Sequence, residues 1–169
     1  MNTPYKSAPK ATIKLLNRNE LNRIRETLEK TGSLEDRLLY ETMLTGMRIS
    51  EYLPIESKDL GVNSNFNATV KGVPIDFVHT TITLNEFNQK MSTTRYAFIS
   101  PASSSRPLST AEFLTKLRGW MSNAHVSSEK ITPHTVRLSV ISANAAMAST
   151  PRKEVVKVFD KNILRSIDN

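Results

Sequence analysis

The chain is expected to fold as a mainly α-helical domain carrying one small antiparallel β-sheet. Three observations lead there. Apolar residues recur at helical spacing through most of the chain, Ser/Thr–Pro and capping-box patterns mark helix starts, and only residues 66–78 alternate apolar with polar side chains. At 169 residues the chain can bury one substantial core, roughly 68–70% of its unfolded surface. Residues 1–14 are therefore expected to be a flexible lead or linker remnant, and residues 15–169 a single domain.

The elements follow in order. Pro4, Ser7 and Pro9 keep the lead irregular. Leu21, Ile24 and Leu28 give a helix over about Glu20 to Lys30, which Thr31, Gly32 and Ser33 interrupt. Leu38, Leu39, Met43 and Leu44 form the apolar face of a second helix from Leu34. It breaks at Thr45 and Gly46, and a short segment from Ile49 to Leu53 ends against Pro54. Residues 66–71 (FNATVK) and 73–78 (VPIDFV) alternate around Gly72, which predicts a hairpin. Thr83 with Glu86 and Ser109 with Glu112 are capping boxes. The second opens a helix in which Phe113, Leu114, Leu117, Trp120 and Met121 share a face. Between the two, Tyr96 to Ile99 suits a short strand and Pro101 to Pro107 a serine-rich loop. Thr132–Pro133 starts a helix reaching about Ala148, and Thr150–Pro151 starts another lined by Val155, Val156 and Phe159. Ile163, Leu164 and Ile167 extend a tail.

Composition excludes several function classes. There is no cysteine, hence no disulfide framework, thiolate nucleophile or Cys-based metal site. Apolar runs are short and interrupted, far below the roughly 20 residues of a bilayer span, and Met1 to Lys10 has no secretory-type apolar segment. An intracellular protein is expected, in the cytoplasm or nucleoid for a bacterial or phage source. Only five glycines occur and none builds a phosphate loop, while His79, His125 and His134 lack metal-ligand spacing. No cofactor and no metal are expected. The net charge is +7 and unevenly placed: residues 1–30 carry seven basic and three acidic side chains, residues 31–100 six and eight, and residues 101–169 ten and five. Two basic ends around a slightly acidic middle suit a polyanion, as a merely soluble basic surface also would.

Basic residues stand at structural punctuation. Arg48 follows the Thr45–Gly46 break, and His134 and Arg137 lie three apart in the first turns of a helix, toward the end that favours an anion. With Lys71 on the hairpin, these groups would suit one phosphate: planar forks from arginine, a proton from histidine, positive potential from the helix end. Each has a plainer role open to it. Arg48 can pair with Glu51, His134 can bond at its helix start, and Lys71 can be an ordinary hairpin lysine.

The stretches TGMRISEYL at 45–53 and ITPHTVRLS at 131–139 resemble the first arginine box and the H-x-x-R box of the tyrosine recombinase (phage integrase) family, in the family's order and with a lysine-bearing hairpin between them. The resemblance spans approximately residues 15–165 and implies a catalytic-domain-like fold acting on double-stranded DNA. It implies Arg48 and Arg137 as clamp on the scissile phosphate, His134 as assisting base, Lys71 as general acid, and Glu51 as a structural residue orienting the helix end. Arg152, Lys153 and Lys157 are expected as outer DNA contacts. The family also implies homo-oligomers on DNA formed through the C-terminal segment.

The pattern departs from the family in three places. VFDKN at 158–162 stands where an L-G-H-like motif is usual, Leu138 replaces the histidine after the second arginine, and all four tyrosines, Tyr5, Tyr40, Tyr52 and Tyr96, precede Arg137. Strand cleavage needs a nucleophile aligned with phosphorus, whereas a clamp binds phosphate without one. The expectation is a non-catalytic DNA-binding regulator or accessory factor of phage or mobile-element biology. A recombinase truncated before its tyrosine and an active enzyme with an unusual nucleophile stay open. So does a basic protein-interaction module using Leu53, Trp120 or the C-terminal helix.

Overall fold

A computed structural model of the protein describes residues 14–64, 68–75, 89 and 94–148. It is mainly helical with small antiparallel sheets. Helices α1 (Arg18–Thr31), α2 (Leu34–Met43) and the single-turn α3 (Ile49–Tyr52) come first. Strands β1 (Leu60–Val62), β2 (Ala68–Val70) and β3 (Val73–Pro74) follow, then β4 (Ile99–Ser100) and β5 (Ser103–Pro107), and finally helices α4 (Thr110–Asn123) and α5 (Pro133–Ala148).

The helix boundaries follow from their caps. Asn17 Oδ1 accepts from the Glu20 N–H at 2.8 Å while Glu20 returns the bond to the Asn17 N–H, which satisfies two donors that helix geometry leaves free at the start of α1. Ser33 accepts from Asp36 at the start of α2, and Ser109 and Glu112 exchange bonds at the start of α4. In α5 the same reciprocal device uses two threonines: Thr132 Oγ1 accepts from the Thr135 N–H, and Thr135 Oγ1 from the Thr132 N–H.

Leu21, Ile24 and Leu28 form the buried stripe of α1, which packs against α2 and α4. The centre of the core is aromatic. Phe113 of α4 meets Tyr52 of α3 and Trp120 edge-on at 5.8 and 6.3 Å, and Trp120 meets Tyr40 of α2 at 6.1 Å. α5 buries Val136 and Val140. Its Ser139 Oγ accepts from the Leu16 N–H at 2.8 Å and donates to the Thr135 carbonyl, so the segment leading into α1 is tied to α5 by a buried bond.

The predicted hairpin is present as β2 and β3, with Val70 opposite Val73. Both residues of its two-residue turn have positive φ, Lys71 at 49° and Gly72 at 78°; this matches the turn class whose twist suits a hairpin. A third strand, β1, unannounced by any alternation in its three residues, pairs Leu60 with Val70 and completes the order β1-β2-β3. The expected strand over Tyr96 to Ile99 is shifted. Tyr96 forms only an isolated bridge to Glu56, and pairing begins at Ile99.

The serine-rich stretch Pro101 to Pro107, expected as a loop, is mostly a strand: β5 pairs with β4 through Ile99–Pro107 and Ser100–Ser103. Ser103 to Arg106 are exposed, so no core-facing side chain writes a period-2 pattern into the sequence. The capping box at Thr83 and Glu86, the helix from Thr150 and the tail to Ile167 lie outside the described residues.

Glu35 joins two of these elements, its carboxylate accepting from the Ile99 N–H at 3.4 Å. Burial raises its pKa above the ordinary value; the bond from Ile99 and the charge of Lys116 pull the other way without overcoming it. A carboxyl that holds its proton more tightly when folded contributes stability below its unfolded pKa and loses it as pH rises through its folded one. Glu35→Gln keeps an acceptor and removes the charge. The variant is expected to melt above the wild type at about pH 7, with the gap closing toward about pH 4. A gap independent of pH in paired thermal melts would show that Glu35 does not titrate with folding.

Candidate functional site

The two arginine-bearing segments meet where α2 ends. Leu44, Thr45 and Gly46 turn the chain, with Thr45 Oγ1 donating to the Thr42 carbonyl at 2.6 Å and the Gly46 N–H to the Met43 carbonyl at 3.2 Å. Gly46 has φ 84°, a conformation in which a Cβ is strained. Its carbonyl, thus exposed to α5, accepts from Arg137 Nε at 3.4 Å. Arg48, two residues further, is the N-cap of α3; its backbone N–H donates to Glu51 Oε2 at 3.4 Å. Glu51 therefore touches the helix start, and no ion pair joins it to the Arg48 guanidinium among the described residues.

Short-range geometry fixes the Arg48 backbone, while its exposed side chain has no hydrogen bond to the described residues. Arg137 is half-buried. With Nε on Gly46, both terminal nitrogens of its fork remain for a ligand. His134 lies one turn earlier, exposed, at the second residue of α5. Lys71 is exposed on the hairpin turn, where its backbone N–H donates to the Asp59 carbonyl at 2.8 Å. The bond to Gly46 thus brings the neighbourhood of Arg48 and the helix of His134 and Arg137 together across 91 residues of sequence. Guanidinium forks with exposed donors beside a helix N-terminus form an anion-binding arrangement.

The same geometry bears on nucleophiles. Tyr40 is 1% exposed and its hydroxyl donates to the Leu21 carbonyl at 2.7 Å. Tyr52 is 2% exposed. Burial pushes both phenols far above the ordinary tyrosine range. Neither is placed to attack a phosphate. Tyr96, half-buried, lies under the Arg95 guanidinium at 5.2 Å.

Leu53 and Trp120, two of the three features on which an interaction module would rest, are 4% and 6% exposed and belong to the core, so neither presents a surface to a partner. Their apolar character serves packing, the commoner use of such residues. The third, the expected C-terminal helix, lies outside the described residues. His79, Arg152, Lys153 and Lys157 lie outside the described residues. Among those described, no group of His, Asp and Glu could hold a metal ion, and no helix is long and apolar enough to cross a membrane.

Sequence reasoning did not find the Gly46 carbonyl as the joint between the two boxes, nor Ser139 as the tie to residue 16. The first carried a signal, a glycine in the turn that follows the C-cap of α2. The second had only a serine four residues beyond Thr135.

No curated protein matches the chain. A family model described as the phage integrase family matches residues 14–160. With that match spanning both arginine segments and the fold that joins them, the chain belongs to the phage integrase (tyrosine recombinase) family.

Proposed function

We propose that these 169 residues bind duplex DNA through the surface carrying Arg48, Lys71, His134 and Arg137, and hold the sugar–phosphate backbone without cutting it. The observation that carries this reading is the Arg137–Gly46 bond, which puts the two arginine segments side by side with their free donors unspent. Backbone attachment uses such distributed donors and needs no aligned nucleophile. Residues 138–169 contain no tyrosine, and two of the four tyrosines before Arg137 are buried. Family membership and the net charge of +7 agree with a polyanionic partner. The role that follows is a regulator or accessory factor of phage or mobile-element DNA, with copies assembling on the duplex through the C-terminal segment and Arg152, Lys153 and Lys157 as outer contacts.

The test is a salt titration of duplex affinity with a parallel search for covalent species on nicked duplex. The logarithm of the affinity should fall linearly with the logarithm of salt concentration, by about 0.9 for each phosphate neutralised. No protein–DNA species should survive denaturation. An affinity indifferent to salt would remove the phosphate-binding reading. A denaturation-resistant adduct mapped to Tyr96, or to any other residue, would replace it with an enzyme.

A further inference from the structure

A cleft of about 390 Å³ opens beside the arginine surface, between α1, the end of α2, the residues closing β3, and α5. It abuts the turn that joins the two boxes: Leu44 and Thr45 line it, and a Cβ built on Gly46 would stand 4.0 Å from Asn144 Nδ2, also in its lining. The buried part of the lining holds Leu21, Ile75 and Glu41, whose carboxylate pairs with the half-buried Arg25 at 2.7 Å. The exposed part holds Pro74 beside the polar Arg18, Asn22 and Asn144.

The three exposed polar groups make no hydrogen bond or ion pair among the described residues. Among the described residues Arg18 shares this with Arg48 and Arg118, whereas four other arginines are engaged. Arg23 donates to the Ala124 and His125 carbonyls, Arg25 to Glu41, Arg95 to Glu56, and Arg106 to Ser100. Arg18 and Asn22, four apart on α1, face the same cleft that Asn144 enters from α5. A guanidinium and two amides over a partly apolar recess match a sugar–phosphate unit, whose anionic oxygens take donors and whose deoxyribose carbons take apolar surface. The charges in the lining are Arg18, Arg25 and Glu41, a net positive set. The volume lies within the roughly 300–1,000 Å³ of sites that hold small organic groups.

We propose that this cleft is a second backbone subsite, which takes the sugar–phosphate unit flanking the one held by Arg48 and Arg137, with Arg18 and Asn144 as its phosphate donors. The proposal rests on the DNA-binding reading above. Arg18→Gln removes one cation from an exposed position, and Asn144→Asp puts a carboxylate into the cleft; neither change touches Arg48 or Arg137. Both variants should melt as the wild type does. In salt titrations on duplex DNA, Arg18→Gln should reduce the slope by about 0.9, and Asn144→Asp should lower affinity at every salt concentration. If the wild type itself does not bind duplex, the DNA reading falls and this one with it. If the wild type binds and Arg137→Ala weakens it while Arg18→Gln and Asn144→Asp change neither affinity nor slope, the DNA reading stands and the cleft proposal is wrong. The cleft proposal is equally wrong if its variants alter only self-association in sedimentation, because a second copy then occupies the cleft.

Discussion

The Arg48→Ala, Arg137→Ala double variant should bind duplex DNA at least about a hundredfold more weakly than the wild type while keeping most of its melting temperature. Hydrogen bonds to a charged partner contribute about 1.5–3 kcal/mol each, so two guanidinium contacts to phosphate represent at least about 3 kcal/mol, and each 1.4 kcal/mol is tenfold in affinity. The salt slope should become shallower by about 1.8, the release of two phosphates' counterions. Structural loss is expected to be small. The Arg48 side chain has no bond to the described residues, and the Arg137 bond to Gly46 is long at 3.4 Å, in the class of neutral-acceptor bonds contributing roughly 0.5–1.5 kcal/mol net. Melting curves taken beside the titration separate the two effects. Loss of affinity should also be similar on unrelated sequences, because phosphate contacts carry no base information. Equal affinities and slopes for wild type and folded variant would leave a phage integrase fold that serves some other partner.

The longer helices were legible in the sequence, α1 and α2 by the 3.6-residue period of their apolar face, α4 by its capping box and apolar face, and α5 by its Thr–Pro start. Asn17, Ser33, Ser109 and Thr132 all cap the helices that follow them. Strands β1 and β5 were not legible, for opposite reasons. β1 has three residues, too few for an alternation to show, and β5 exposes Ser103 to Arg106, so burial imposes no pattern on it. The candidate site was legible as two segments but not as one place. Arg48 and Arg137 are 89 positions apart, and what joins them is a backbone carbonyl at Gly46, an atom every residue has and no sequence motif marks. The glycine is nonetheless readable, because φ 84° at a helix end asks for one. The cleft beyond it uses Arg18, Asn22 and Asn144, ordinary surface residues until the fold sets α1 beside α5.

Phe113→Ala should be among the most destabilising single truncations of the core, at about 3–5 kcal/mol, and should reach the proposed DNA surface as well. Phe113 is fully buried, on the inner face of α4, with Tyr52 and Trp120 edge-on to its ring. Removing the ring leaves a cavity that the rigid helices around it fill only in part, so the transfer and cavity costs add. Tyr52 ends α3, the single turn whose N-cap is Arg48. A four-residue helix has little stability of its own, so its orientation depends on this aromatic contact and on Glu51 at its start. Loosening Tyr52 therefore frees the backbone that aims Arg48. Chemical denaturation should show the stability loss, and duplex affinity, measured at a temperature where the variant remains folded, should fall by several-fold. Phe113→Leu, which refills most of the volume, should recover most of both. A Phe113→Ala protein that is strongly destabilised yet binds duplex as tightly as the wild type would show that α3 is held by its caps alone. Packing at Phe113 would then contribute to the fold without positioning Arg48.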